Sequence, residues 1–420
     1  MKPITRRDAL LRTAAVASAS MIPAAHLTGI AAPLTKAVHS EGIDRALQAR
    51  VRAGEIPGVV AMAANAQSVI YEGAFGFRDM ATASRMSTDT VFRIASMVKL
   101  LTSVAALQLV ERGKLKLDEP AGKIDPTLGS PQVLASFDAK GVPQLRPAQK
   151  PLTLRKLLTH TSGFSYPLWD PNVVRYLKVA RSNPSFPRTP LMFEPGSRWA
   201  YGGSLDRVGR MVEIADGQSL DRYFSDHITG PLGMNDTGFS LRGEQRARQA
   251  RLHVRDANGK LLPQPLERPN APKVFSGGGG IYSTAPDYLP LLQALLNGGS
   301  LRETRILRPE TVALMSENQI GDLTAGILKT TNPALSNDVD FFPGVQLRWG
   351  LGHMINIDPV PDGRKAGSLT WAGLFNTYYW IDPTMRIVGV IMMQILPFAD
   401  RQALETYRQF ERGICHGLST

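Results

Sequence analysis

The chain has 420 residues, 43% hydrophobic and 20% charged, enough apolar material for a large buried core. Its formal net charge is +12, yet no Lys/Arg run exceeds two residues and no basic stretch is interleaved with aromatics. That pattern excludes nucleic acid as a partner and makes the excess charge solvated surface. The single cysteine, Cys415, lies near the C-terminus and excludes an intrachain disulfide, cysteine-protease chemistry and thiolate zinc sites.

The first element is a leader. Thr5-Arg6-Arg7-Asp8-Ala9-Leu10-Leu11-Arg12 precedes an apolar, alanine-rich stretch from Thr13 to Ala25, followed by small residues at Gly29, Ala31 and Ala32. Charged, apolar and small-residue parts in that order predict a secretory signal over residues 1–32, and the arginine pair resembles a twin-arginine signal. Ala9 departs from that pattern, which prefers a bulky apolar residue there. The expected location is therefore periplasmic or secreted. Four cations against one acid lie in the leader, so the +12 becomes +9 without it. The apolar stretch is too short and too weakly hydrophobic for a good membrane span.

Ile43, Leu47 and Val51 recur at four-residue spacing, predicting an opening amphipathic helix. Val59–Ala64 and Ser68–Glu72 read as a hairpin around a turn at Asn65–Gln67. A second apolar helix is predicted from about Met97 to Arg112, stopped by Gly113. Residues 126–270 are proline-rich, with long loops and interspersed helices. Helices follow at Ala285–Leu296 and near Pro309–Asn318, then strands at Thr377–Ile381 and Ile387–Gln394 joined at Asp382-Pro383, and a closing helix over about Asp400–His416. Strands at both ends with helices between imply an α/β fold: one sheet built from both chain ends and flanked by helices. Its α/β lobe would take residues 33–125 and 271–420, with a mainly helical lobe inserted at 126–270. A cleft between the lobes is the expected site.

Ser96-Met97-Val98-Lys99 opens the second predicted helix, and the spacing of three puts both side chains on one face. A serine hydroxyl needs a nearby base to become a nucleophile. Lysine serves as that base only if its pKa, ordinarily ~10.4, falls towards neutrality. The free N–H groups of the helix start can bind a developing oxyanion. Alone, the motif also fits an ordinary capped helix.

Its company is more specific. Phe92-Arg93-Ile94-Ala95-Ser96-Met97-Val98-Lys99 is followed by Leu157-Leu158-Thr159-His160-Thr161-Ser162-Gly163 and Phe193-Glu194-Pro195-Gly196-Ser197-Arg198-Trp199-Ala200-Tyr201. Then come Ser276-Gly277-Gly278-Gly279-Gly280-Ile281-Tyr282-Ser283-Thr284 and Trp371-Ala372-Gly373. Together, in this order and over nearly all of residues 40–400, they resemble the serine β-lactamase and penicillin-binding-protein superfamily. The branch they resemble is that of class C β-lactamases and family VIII carboxylesterases.

The resemblance implies a β-lactamase-like (transpeptidase-like) fold with an antiparallel sheet. It also implies Ser96 as acylated nucleophile, Lys99 as proton acceptor and Tyr201 as the active-site tyrosine that relays a proton to the leaving group. Which of Lys99 and Tyr201 is the base stays open. Trp371-Ala372-Gly373 falls where β-lactamases have Lys-Thr-Gly, so Leu374 N–H would pair with Ser96 N–H as an oxyanion hole. Tyr166 and Trp169, in a proline-flanked loop, are candidates to line the cleft mouth. His160 reads as a structural histidine, and Gly277–Gly280 as a tight turn near the site.

Two departures bear on substrate. Gly203, two residues after the tyrosine, replaces an asparagine able to hydrogen-bond a lactam's amide, and Trp371 replaces a lysine that holds a substrate carboxylate. Both favour small uncharged esters, so a carboxylesterase is expected, with no metal or cofactor. β-Lactamase, D-amino-acid peptidase and transacylase activity are the alternatives within enzymes. A non-catalytic penicillin-binding-type protein is the alternative outside them.

Overall fold

Strands from both ends of the chain meet in one antiparallel sheet. The computed structural model describes residues 40–183, 185–266 and 272–417. The expected leader, residues 1–32, lies outside them. The sheet strands are β1 (Gly58–Asn65), β2 (Val69–Asp79), β3 (Ser84–Arg85), β4 (Leu347–Trp349), β5 (Met354–Asn356), β6 (Leu369–Gly373), β7 (Thr377–Asp382) and β8 (Ile387–Met392). They run in the order β4-β5-β6-β7-β8-β1-β2-β3. N-terminal β1 pairs with C-terminal β8 in the register Val60↔Met392 to Asn65↔Ile387.

The β1–β2 turn is held by Asn65, whose Oδ1 accepts from the backbone N–H of Gln67 (2.9 Å) and Ser68 (2.8 Å), an Asx turn of the kind its side chain favours. Strand β2 continues past Glu72 to Asp79, beyond the expected end, because Gly73 and Gly76 interrupt the apolar pattern without ending the pairing with β1. The β7–β8 turn is tied by Asp382 Oδ1, which accepts from Met385 N–H at 2.8 Å.

Helices cover both faces. The main ones are α1 (Ser40–Arg52), α2 (Val98–Glu111), α3 (Ser204–Asp216), α4 (Ala285–Leu296) and α5 (Arg401–Gly417). Successive strand side chains point to opposite faces. Tyr379 of β7 meets Tyr288 of α4 with ring centroids 5.7 Å apart, while its neighbour Trp380 meets Phe410 of α5 at 5.3 Å. The terminal helices α1 and α5 pack on each other, and α2 packs against α3. Helix α5 starts at Asp400, whose Oδ1 accepts from the N–H of Gln402 and Ala403 at 3.0 Å, a cap worth about 1 kcal/mol.

Helix α2 is buried continuously from Val98 to Leu109, as its all-round apolar sequence requires, and ends before Gly113, which takes a left-handed φ of 72°. Residues 126–266 hold short helices at Leu154–Leu158, Pro171–Ala180, Leu220–Phe224 and Gly243–Ala247 besides α3. They also hold two hairpins the sequence did not announce, Gln132–Phe137 with Pro143–Pro147 and His253–Arg255 with Leu261–Pro263. Their proline-broken, polar strands carry little periodic signal. Among the described residues no helix is long and apolar enough to cross a membrane.

Candidate active site

Ser96 stands on an elbow. The 3-10 turn Ala95–Met97 leads directly into α2, and Ala95 takes a left-handed φ of 45°, a backbone conformation that costs an alanine about 1–2 kcal/mol. One helical turn on, Lys99 is buried with 2% exposure. Its Nζ donates to Ser96 Oγ at 3.0 Å and to the Gly278 carbonyl at 2.7 Å, and reaches the Tyr166 hydroxyl at 3.5 Å. It also lies 5.0 Å from the centre of the Tyr201 ring. The predicted trio of Ser96, Lys99 and Tyr201 is therefore together in space.

Tyr201 is boxed by aromatics. Ring centroids of Trp371 and His160 lie 4.7 Å from its own, Trp169 at 5.4 Å and Tyr166 at 5.6 Å. The Trp371 indole N–H donates to the Tyr201 oxygen at 3.1 Å. His160 sits beneath as an uncharged ring, its pKa held well below the usual histidine value by burial and by the Lys99 charge. Its Nδ1 accepts from Gly202 N–H at 3.4 Å.

The charge state of Lys99 differs from the expectation that its pKa falls. Burial pushes the ammonium down, but Tyr166, Tyr201 and the Asp206 carboxylate oppose it, and the balance lies above the ordinary lysine value. Tyr166 moves upward too, chiefly through burial, so it stays a neutral phenol. A buried amine is pushed towards neutrality by desolvation only to the extent that its neighbours do not hold the proton.

These residues close a cavity of about 520 Å³. Ser96, Tyr166, Trp169, Tyr201, Trp371, Ala372 and Leu374 all line it, joined by Phe239, Phe375 and Phe398, which sequence reasoning missed. Arg93 is the one charged side chain among its described lining residues and lies 4.4 Å over the Phe375 ring. Two residues named for substrate contact do not line it. Gly203 faces Asp206 and Tyr166, and Gly373 lets β6 approach the nucleophile elbow, where an added Cβ would lie 2.2 Å from the Ile94 carbonyl oxygen. Asp206, also missed, sits in the first turn of α3 and holds the glycine turn, accepting from Gly278 N–H at 3.1 Å and from the Ser276 hydroxyl.

A serine on a helix-start elbow, bonded to a buried lysine beneath a boxed tyrosine and beside an antiparallel sheet, defines a serine enzyme that works through acyl transfer. The chain belongs to the beta-lactamase family, whose model matches residues 43–413. It is 32% identical to monacolin J acid methylbutanoyltransferase of Aspergillus terreus over 396 residues, covering 89% of this chain and 94% of that one. It is also 32% identical to lovastatin esterase of Penicillium rubens over 380 residues, covering 84% and 93%. Among solved structures, a simvastatin synthase variant from Aspergillus terreus superposes with a TM-score of 0.77 at 32% identity, covering 89% of this chain and 98% of the other. The family's enzymes of this kind are acyltransferases and esterases.

Proposed function

We propose that this enzyme takes an acyl group from a small uncharged ester onto Ser96 and passes it to water, or to an alcohol bound in the same cavity. The observation that carries the proposal is the 3.0 Å contact between Lys99 Nζ and Ser96 Oγ at the base of a largely aromatic cavity. The relatives named a transferase and an esterase support both fates of the acyl group.

The chemistry follows from who donates to whom. The Lys99 ammonium donates to Ser96 Oγ, so the serine proton is free to point elsewhere and the incipient alkoxide is stabilised. The indole N–H of Trp371 occupies the Tyr201 oxygen from one side, so the phenol proton is directed away from the indole. As Ser96 Oγ bonds to the ester carbonyl, its proton passes to the Tyr201 oxygen, and the Tyr201 proton passes to the departing alkoxide. The C–O bond to the alcohol breaks and the alcohol leaves neutral. Backbone N–H groups of Ser96 and Leu374 hold the oxyanion, each donor worth ~2.7–4 kcal/mol. Deacylation runs the relay in reverse with water or an acceptor alcohol. Trp371 offers a substrate an apolar wall where an ammonium would bind a carboxylate, which favours uncharged esters over β-lactams.

Purified protein should hydrolyse short-chain aryl esters, and intact mass should show an acyl adduct that Ser96→Ala lacks. Full rate in Ser96→Ala refutes the assignment, and faster turnover of a chromogenic cephalosporin than of any ester refutes the substrate class. Added alcohols divert the acyl group in proportion to their occupancy, read as ester product against free acid. Export through Arg6 and Arg7 belongs to the same proposal, and an intact N-terminus on protein recovered from an expressing cell's periplasm would count against cleavage.

A further inference from the structure

We infer that Asp206 is a positioning residue for the acyl-transfer step, acting on Lys99 through the Gly278 peptide and through its charge. The inference rests on the acyl-enzyme reading above.

The glycine turn is clamped at three successive points. Thr102 Oγ1 donates to the Gly277 carbonyl at 2.8 Å, Gly278 N–H donates to Asp206 Oδ1 at 3.1 Å, and the Gly278 carbonyl accepts from Lys99 Nζ at 2.7 Å. Asp206 thus fixes the N–H of the residue whose C=O fixes the lysine. The Ser276 hydroxyl shares the Gly278 N–H, accepting at 3.1 Å, and donates to the same carboxylate oxygen, so Asp206 also anchors this second acceptor. The close approach explains the glycines: a Cβ on Gly278 would lie 2.9 Å from Asp206 Oδ1, and one on Gly277 2.3 Å from the Leu205 carbonyl oxygen.

Charge is the second route. The titratable groups facing Lys99 are Tyr166, Tyr201 and Asp206, with His160 deeper and uncharged. Asp206 is the carboxylate among them. A neutral side chain there leaves the ammonium opposed by burial and supported only by phenols and a carbonyl, so Lys99 releases its proton at lower pH.

Two variants separate geometry from charge. Asp206→Asn keeps an acceptor for Gly278 N–H and removes the charge, whereas Asp206→Ala removes both. The readout is the pH profile of Ser96 labelling by a fluorophosphonate, together with kcat and KM for an aryl ester. We expect Asp206→Asn to move the alkaline limb of labelling to lower pH by about one unit, with kcat down about tenfold and KM within twofold. Asp206→Ala should show the same pH shift and a further loss of kcat, of about tenfold, from the released turn. An unmoved alkaline limb in Asp206→Asn overturns the inference, even where kcat falls. Wild-type protein that neither labels nor turns over esters overturns the acyl-enzyme reading and this inference with it. Wild-type labelling with indifferent variants overturns the positioning role alone.

Discussion

Replacing Trp371 by Phe removes the hydrogen bond that the indole makes to the Tyr201 hydroxyl. Both partners are 3% exposed and the bond is 3.1 Å long. In the resting enzyme a buried neutral bond of this kind is worth about 1 kcal/mol. As the Tyr201 proton moves to the departing alkoxide ahead of the serine proton's arrival, negative charge develops on its oxygen, and a donor to a charged oxygen is worth ~1.5–3 kcal/mol. The gain between the two states is about 0.5–2 kcal/mol, so at ~1.36 kcal/mol per decade kcat should fall by about two- to thirtyfold. The phenyl ring retains most of the packing, since the indole meets Tyr201 at 4.7 Å, Trp349 at 4.6 Å and Phe341 at 6.0 Å. Stability should drop by only about 1–3 kcal/mol, the range of a modest core truncation. The assay is steady-state hydrolysis of an aryl ester beside urea unfolding of the same variant. A kcat within twofold of wild type, with KM raised, would show that the indole is only a wall and would refute the relay.

Three further outcomes follow from particular contacts. Gly373→Ala places a Cβ 2.2 Å from the Ile94 carbonyl oxygen, pushing β6 off the nucleophile elbow; kcat should fall about a hundredfold, read with the same ester. Glu411→Gln breaks the buried pair with Arg364, which is fully buried and bonded to both Glu411 and Tyr407, so urea unfolding should show a loss of about 3–5 kcal/mol. His353 is fully buried, its pKa pushed down to about 4 by burial, and His160 is displaced in the same direction. Below the unfolded histidine pKa the unfolded chain binds protons that the native chain refuses, so this stability is complete above ~6.5 and is lost as pH falls towards the folded values. The slope near pH 5.5 should lessen by about 1.4 kcal/mol per unit in His353→Gln, measured by unfolding between pH 7 and 5.

Much of this was legible in the sequence because its signals are local. The hairpin at Asn65, the apolar helix closed by Gly113, and the strands flanking Asp382 all occur where period and turn chemistry place them. Ser96, Lys99 and Tyr201 were recognisable from motif order, and Tyr166 and Trp169 from their loop; four of them line one cavity, and Lys99 lies buried against Ser96 and Tyr166. Asp206 was invisible because it occupies the first turn of α3, where an acidic residue is the ordinary helix-start choice. Its role exists only because the chain returns some seventy residues later with a turn narrow enough to reach it. The short strands β4 and β5 were missed for a related reason: three residues apiece carry no period, and only the sheet edge makes them strands. The groups that oppose the effect of burial on Lys99 were likewise out of reach, since they come from separate parts of the chain.

The two departures from the family pattern can now be joined into one argument. An asparagine at position 203 would extend from a Cβ already 3.4 Å from Asp206 Oδ2 and 3.7 Å from the Tyr166 ring, so glycine leaves those two groups the space they use. A lysine at position 371 would set a second amine beside Tyr201, whose ring already has Lys99 Nζ 5.0 Å from its centre. With tryptophan there, Tyr201 receives a neutral donor whose side chain also lines the cavity. On the proposed mechanism, substrate neutrality and the positioning role would share a single physical origin: a site with one buried cation, at position 99, and none at position 371.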